Sequence, residues 1–244
     1  MSFTTTAISF IVLGLGLLLC GWRFLGSANS KTKANGDLTG VLIGSFLILF
    51  AIENLILGFG ALFSSTCASC STKVLILANT LLPIISVFGV YNIYYIFLPK
   101  AKYFFVLVSL AALGVFGIVL TVVTQPRPFI TSAGGLDWNM SPLLSSVIFF
   151  LLIVAIGSEL YIFIRLFFNS ASLEIRILSL VLGFLAATGI ADQILRFIVL
   201  HSYPPHLRTL VYDLITGGIG IGFLLALMIF SLFNKPRIQD KERL

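Results

Sequence analysis

The sequence predicts an all-α polytopic membrane protein: a bundle of seven transmembrane helices, with its N-terminus outside and its C-terminus in the cytoplasm. Three observations carry this. Hydrophobic residues make up 59% of the 244-residue chain and charged residues 10%, against about 25% in a soluble domain. Too little charge is present to cover a water-facing surface, and mean hydropathy is +1.11. Seven apolar stretches of bilayer-crossing length, about 20–25 residues, are separated by polar breaks. The basic residues divide unequally between the two sets of loops those stretches define.

The spans are Thr5–Leu25, Leu38–Phe63, Val74–Leu98, Tyr103–Val123, Pro142–Phe168, Ile177–Leu200 and Thr209–Phe233. Short connections make consecutive helices antiparallel neighbours. Residues 1–233 form one transmembrane domain, and 234–244 a short basic cytoplasmic tail. The first span lacks a preceding basic residue and a small-residue cleavage pattern, so it reads as an anchor rather than a cleaved signal. Arg23, Lys31, Lys33, Lys100, Lys102, Arg165, Arg176, Lys235, Arg237, Lys241 and Arg243 fall on one side. Only Lys73, Arg127, Arg196 and Arg208 fall on the other or near it. The basic side is cytoplasmic by the positive-inside rule. An odd number of spans demands the same split. The net charge of +6 is therefore a topology signal, and no nucleic-acid partner is expected.

The chemistry lies in polar groups within the spans. An unpaired charge at the centre of a membrane helix costs roughly 2.5–3.5 kcal/mol even on insertion scales. Glu53-Asn54 and Asp192-Gln193 each lie about fifteen residues into spans two and six, which run in the same direction. Asn79 and Asp213 lie near the outer ends of spans three and seven. Glu53, Asn54, Asn79, Asp192, Gln193, Arg196 and Asp213 thus share one layer in the outer half of the membrane. Asp192 and Arg196 are four apart, so on a helix they share a face and are expected to pair. Three acids face one nearby base. A neutral carboxyl, a cation or a ligand amine must make up the difference. The layer is a ligand-binding pocket open to the outside or a hydrogen-bond network that locks the bundle. Glu159 and Asn92 fall toward the cytoplasmic third, with Tyr91, Tyr94, Tyr95 and Tyr161, and read as packing contacts. The matched acid–amide pairs of spans two and six hint at a parallel repeat, spans one to three against five to seven.

The longest outer loop, Gln125–Trp138, is too rich in Pro and Gly for a helix. It is a lid or a plain connector, with Trp138 expected in the interfacial belt. Cys67-Ala-Ser-Cys70 is a disulfide candidate on an oxidising face. With His201 and His206 it also has zinc-like spacing, but the two pairs come from separate loops, so no metal site and no cofactor is assigned. Thr216–Gly222 mimics a phosphate loop but follows no strand. Gly218 with Gly222, and Gly40 with Gly44, read as close helix contacts. Pro83 is placed to kink span three beside Asn79.

Span seven has no lysine for a retinal Schiff base, and both histidines lie outside the bundle. The stretch from Asp137-Trp138 through span five, then Arg165–Arg176 and Gly183-Phe-Leu, resembles the second half of the seven-helix sensor module found N-terminal to bacterial histidine kinases and cyclases. The output domain of that module is absent here. The resemblance implies signalling to a separate partner through the basic tail or inner loops. The expectation is a non-enzymatic receptor or sensor of a bacterial-type plasma (inner) membrane. It would bind a small molecule or cation, and would act on a cytoplasmic protein partner or as a homo-oligomer. A small transporter or channel using the same layer, or a non-catalytic scaffold subunit of a membrane complex, is the alternative.

Overall fold

A computed structural model describes residues 4–30, 38–64, 67–98, 103–170 and 173–233. The basic residues Lys31, Lys33, Lys100 and Lys102 and the tail 234–244 lie outside the described residues. Seven helices are long and apolar enough to cross a membrane, as a multi-pass membrane protein requires. They are α1 (Thr5–Ser30), α2 (Leu38–Phe63), α3 (Ala68–Phe97), α4 (Phe104–Thr124), α5 (Pro142–Asn169), α6 (Leu173–Ile194) and α7 (Pro205–Phe233).

Several boundaries move outward from the hydropathy limits, for local reasons. α3 begins six residues earlier than expected because Cys67 caps it: its sulfur accepts the Cys70 N–H. α5 begins with Pro142, whose fixed φ suits a first helical position, behind Ser141, which accepts the Leu144 N–H. α4 ends at Gln125, which takes a left-handed conformation (φ 42°). α3 runs on through Pro83. Gly114 of α4 makes room for the ring, since a Cβ there would come within 2.2 Å of the Pro83 Cβ.

Span six is not a plain α-helix to its end. After Ile194 the chain forms a π-helical segment, Leu195–Val199, and a 3-10 turn, Leu200–Ser202. The Leu200 N–H reaches back five residues to the Leu195 carbonyl. Such segments widen a helix and re-aim its side chains.

The helices pack in a cycle: α1 on α2, α2 on α3, α3 on α5, α5 on α6, α6 on α7, and α7 back on α1. α4 stands outside this ring against α3 and α5. It exposes Phe104, Phe105, Val115, Val119 and Val123, a face suited to lipid. Phe46, Leu47, Leu82, Ile85, Leu144, Phe163 and Leu182 are buried at the centre. The α1–α7 seam closes at Gly220, where a Cβ would lie 2.6 Å from the Leu13 backbone nitrogen. Of the pair expected to make close helix contacts, Gly222 does so, with its Cβ position 2.4 Å from Leu185 Cδ2 of α6, whereas Gly218 has nothing within 4 Å of such a Cβ. Gly44 does meet a glycine, with its Cβ position 2.8 Å from the Gly21 carbonyl oxygen.

The loop between α4 and α5 folds into a small antiparallel hairpin, β1 (Phe129–Ile130) and β2 (Leu136–Asp137), with Phe129 opposite Asp137. Its turn contains Gly134 at φ +79°, a conformation that L side chains rarely adopt. The hairpin sits across the end of the bundle where α1 and α7 begin. The Thr5 N–H donates to the Gly134 carbonyl at 3.2 Å. The Leu136 N–H donates to Thr6 Oγ1 at 2.7 Å, and Thr131 and Thr209 share a hydroxyl–hydroxyl bond at 3.1 Å. Arg208 of α7 forms an ion pair with Asp137 of β2.

Candidate functional site

The ring helices line a partly open cavity of about 80 Å³. Each ring helix contributes to its wall and α4 contributes nothing. Its polar lining comes from Glu53 and Asn54 on α2, Asn79 on α3, Glu159 on α5, Asp192 and Gln193 on α6, Arg196 in the π-helical segment, and Tyr212 and Thr216 on α7. Trp138 and Met140, at the base of the hairpin, close one end. The base of the long loop therefore forms part of the cavity wall. Trp138 is only 3% exposed, buried with Phe10, Leu136 and Tyr212 rather than lying in an interfacial belt. The hydrogen bonds from α1 and α7 draw the hairpin inward, and the indole follows.

Six of the seven sequence-assigned layer residues meet at this cavity: Glu53, Asn54, Asn79, Asp192, Gln193 and Arg196. Asp213 does not. Its Oδ2 accepts hydrogen bonds from Thr5 Oγ1 (2.6 Å) and Thr6 Oγ1 (2.7 Å), and its carbonyl accepts one from Ser9. One helical step of about 100° from Tyr212 turns Asp213 toward the start of α1.

The two acid–amide pairs use the same local device. The Asn54 side-chain amide donates to Glu53 Oε2 at 3.2 Å and to the Phe50 carbonyl at 2.8 Å. The Gln193 amide donates to Asp192 Oδ2 at 3.4 Å, where Thr216 Oγ1 also donates at 3.4 Å. Asn79 donates to Thr121 of α4 at 3.0 Å. Two polar atoms at the cavity, Asp192 Oδ1 and Gln193 Oε1, are fully buried and accept no hydrogen bond. Asp192 is 3% and Gln193 6% exposed. An unpartnered buried acceptor costs about 1–3 kcal/mol, so the site carries an unmet hydrogen-bonding demand.

The expected Asp192–Arg196 ion pair is not formed. Among the described residues the only ion pair within 4 Å joins Arg208 to Asp137. Four residues bring side chains into line on an α-helix, but the π-helical turn between these two changes the rotation per residue. Arg196 is swung onto aromatic rings instead. Its guanidinium carbon lies 4.0 Å from the Tyr212 ring centroid and 5.1 Å from that of Phe197. It remains within electrostatic reach of Glu53, Asp192 and Asp213.

Glu159 also departs from expectation. It lines the deep end of the same cavity rather than joining the tyrosines. Tyr91, Tyr94, Tyr95 and Tyr103 stack among themselves, and Asn92 donates to the Leu42 carbonyl. Between Glu159 and the Glu53–Asp192 layer the wall is apolar, with Leu17, Phe50, Leu185 and Phe223.

Cys67 and Cys70 form a disulfide, which removes both thiols from the zinc-like set. No group of three or more metal-ligating residues occurs among the described residues. His206 is exposed, and the side chain of His201 lies outside the described residues.

The cavity residues that sequence reading missed are Trp138, Met140, Tyr212 and Thr216. A signal for the last two was present: Tyr212, Thr216, Ile219 and Phe223 recur at i, i+4, i+7 and i+11, one face of a helix, and all four line the cavity. No protein-family model matches the sequence, and no curated protein matches it.

Proposed function

We propose that the chain is a non-enzymatic receptor or sensor of a bacterial-type plasma membrane, binding a small ligand in the cavity at the base of the hairpin and signalling to a separate protein. The observation that carries this reading is the pair of buried acceptors without partners, Asp192 Oδ1 and Gln193 Oε1, beside an arginine held on aromatic rings. Asn92 Oδ1 and Asp213 Oδ1 are also buried without a partner, but only Asp192 and Gln193 belong to residues that line the cavity. Buried polar atoms left unmet in a walled cavity favour a ligand that meets them.

The hairpin end faces outward in this reading and the N-terminus is outside. Arg23 near the end of α1, Arg165 near the end of α5 and Arg176 near the start of α6 are exposed at the opposite end of the bundle, the cytoplasmic end by the positive-inside rule. A partner protein, or a second copy of the chain, would engage that face. The π-helical segment gives the signal a route, because Arg196 within it touches the cavity and the segment continues α6 directly.

The test is a thermal-shift screen of the detergent-purified protein against a library of water-soluble metabolites. A ligand at about one hundred times its Kd adds roughly 2.7 kcal/mol. For a chain of this size that is a rise of about 5–10 °C in Tm. Trp138→Ala is expected to lose the shift. A library that shifts nothing, from a protein that folds, overturns the reading.

A transporter is the second reading, favoured by one observation: the cavity extends to Glu159. The apolar wall of Leu17, Phe50, Leu185 and Phe223 opposes a continuous polar path. Proteoliposomes loaded with the stabilising compound are expected to show no flux.

A further inference from the structure

We propose that the ligand is a small zwitterion with an apolar side chain, of the α-amino acid class and about the size of valine. This rests on the receptor reading and adds the chemistry of its ligand.

Opposite charges are presented to one space. Among the described residues Arg196 forms no ion pair and donates no hydrogen bond, while Tyr212 and Phe197 hold its guanidinium plane. A planar fork with its donors unused is the usual receptor for a carboxylate, which it binds bidentately. Asp192 Oδ1 and Gln193 Oε1 are acceptors without donors, and Glu53 lines the same cavity. An ammonium group carries three donors and no acceptor, and so fits such a set. A plain amine would leave Arg196 unanswered and face its charge. A plain acid would leave the acceptors unanswered and face Asp192 and Glu53. Only a ligand with both groups satisfies both.

Between the polar layer and Glu159 the cavity wall is apolar. Below the polar layer Leu17, Phe50, Leu152, Leu185 and Phe223 form the wall, a place for an aliphatic side chain and not for a third polar group. The cavity's volume of about 80 Å³, at roughly 10–15 Å³ per water-sized site, accommodates about five to eight such groups. Trp138 and Met140 close the space above. The ligand's charged end therefore sits under the hairpin and its apolar end points toward Glu159.

The chain has two tryptophans. Trp22 is 71% exposed at the far end of α1, so Trp22→Phe leaves Trp138 as sole reporter of the cavity. Fluorescence of this protein in detergent is titrated with L-valine, isobutylamine (valine without its carboxylate) and isovalerate (valine without its amine). L-valine is expected to give a saturable change, with both truncated probes at least tenfold weaker. Arg196→Gln is expected to bring valine down to the level of the amine. Asp192→Asn is expected to bring it down to the level of the acid. Arg196→Lys, which keeps the charge and loses the fork, is expected to fall between. Thermal melting of each variant confirms that it is folded. Equal binding of the amine and valine, or of the acid and valine, overturns the zwitterion. So does the absence of any response to the three probes. In each case a metabolite of another class that stabilises the protein in the screen leaves the receptor reading standing. A screen that finds no such metabolite takes both readings down.

Discussion

Asp213 and Asp192 are indistinguishable by residue type and nearly so by depth, yet one ties the hairpin to the bundle and the other faces the cavity. The difference is helical azimuth, which depends on which neighbours α7 packs against and is absent from hydropathy. Asp213 is served by Thr5 and Thr6, and Thr6 in turn accepts the Leu136 N–H. Thr6→Val removes a donor and an acceptor at once from buried partners, each costing about 1–3 kcal/mol. A fall of several degrees in Tm is expected on thermal melting, with Thr6→Ser restoring most of it. Gly135 is the companion test. A Cβ there would lie 2.7 Å from Thr209 Oγ1 and 3.0 Å from Asp213 Oδ2, so Gly135→Ala pushes the hairpin off α7. A loss of about 1–3 kcal/mol is expected from the overpacking, read in the same melts. Glu53, Asn54, Asp192 and Gln193 were legible as a layer because matched depth in parallel spans is a property of the sequence alone. Trp138 was not legible. An aromatic residue in a loop between Asp137 and Asn139 has the character of a headgroup anchor until the hydrogen bonds that pull the hairpin inward are known.

At the scale of elements, the seven helices follow from apolar length, and their caps from Cys67, Ser141 and Pro142. What the sequence did not reveal is where α6 stops being α-helical. Leu195–Val199 is as apolar and as helix-compatible as the residues before it. The change of winding there removes the Asp192–Arg196 pair that four-residue spacing implies. The small-residue contacts show the same limit. Spacing marks Gly218 and Gly222; Gly222 packs closely on Leu185 of α6, Gly218 meets nothing, and the seam with α1 is made by Gly220, outside that spacing. Gly220→Ala forces a methyl group against the Leu13 backbone, which cannot rotate away, and is expected to cost about 1–3 kcal/mol. Gly218→Ala meets open space and is expected to change stability by no more than about 0.5 kcal/mol. Parallel melts of the two variants separate the seams directly.

For the whole molecule, the ring of six helices with α4 outside leaves an exposed apolar face on α4 and a polar-lined interior. Orientation is tested by labelling intact cells with a membrane-impermeant maleimide. Ser132→Cys, on the exposed hairpin, is expected to react in intact cells. Asn169→Cys, exposed at the end of α5, is expected to react only after permeabilisation. The class of protein and the number of spans were legible because the bilayer imposes length and apolarity on every span. The cavity was not, since it exists only once six helices pack on one another. Whether its polar layer is a site or a lock is decided most directly by a double-mutant cycle on Asp192 and Arg196. Stability of the ligand-free protein is measured for wild type, Asp192→Asn, Arg196→Gln and the double variant. A site with the geometry described here predicts a weak coupling energy, below about 1 kcal/mol, because the two side chains lie within electrostatic reach of one another but form no ion pair. Two single variants that are each strongly destabilised, and a double variant that recovers by more than about 1.5 kcal/mol, would show a structural lock and contradict it.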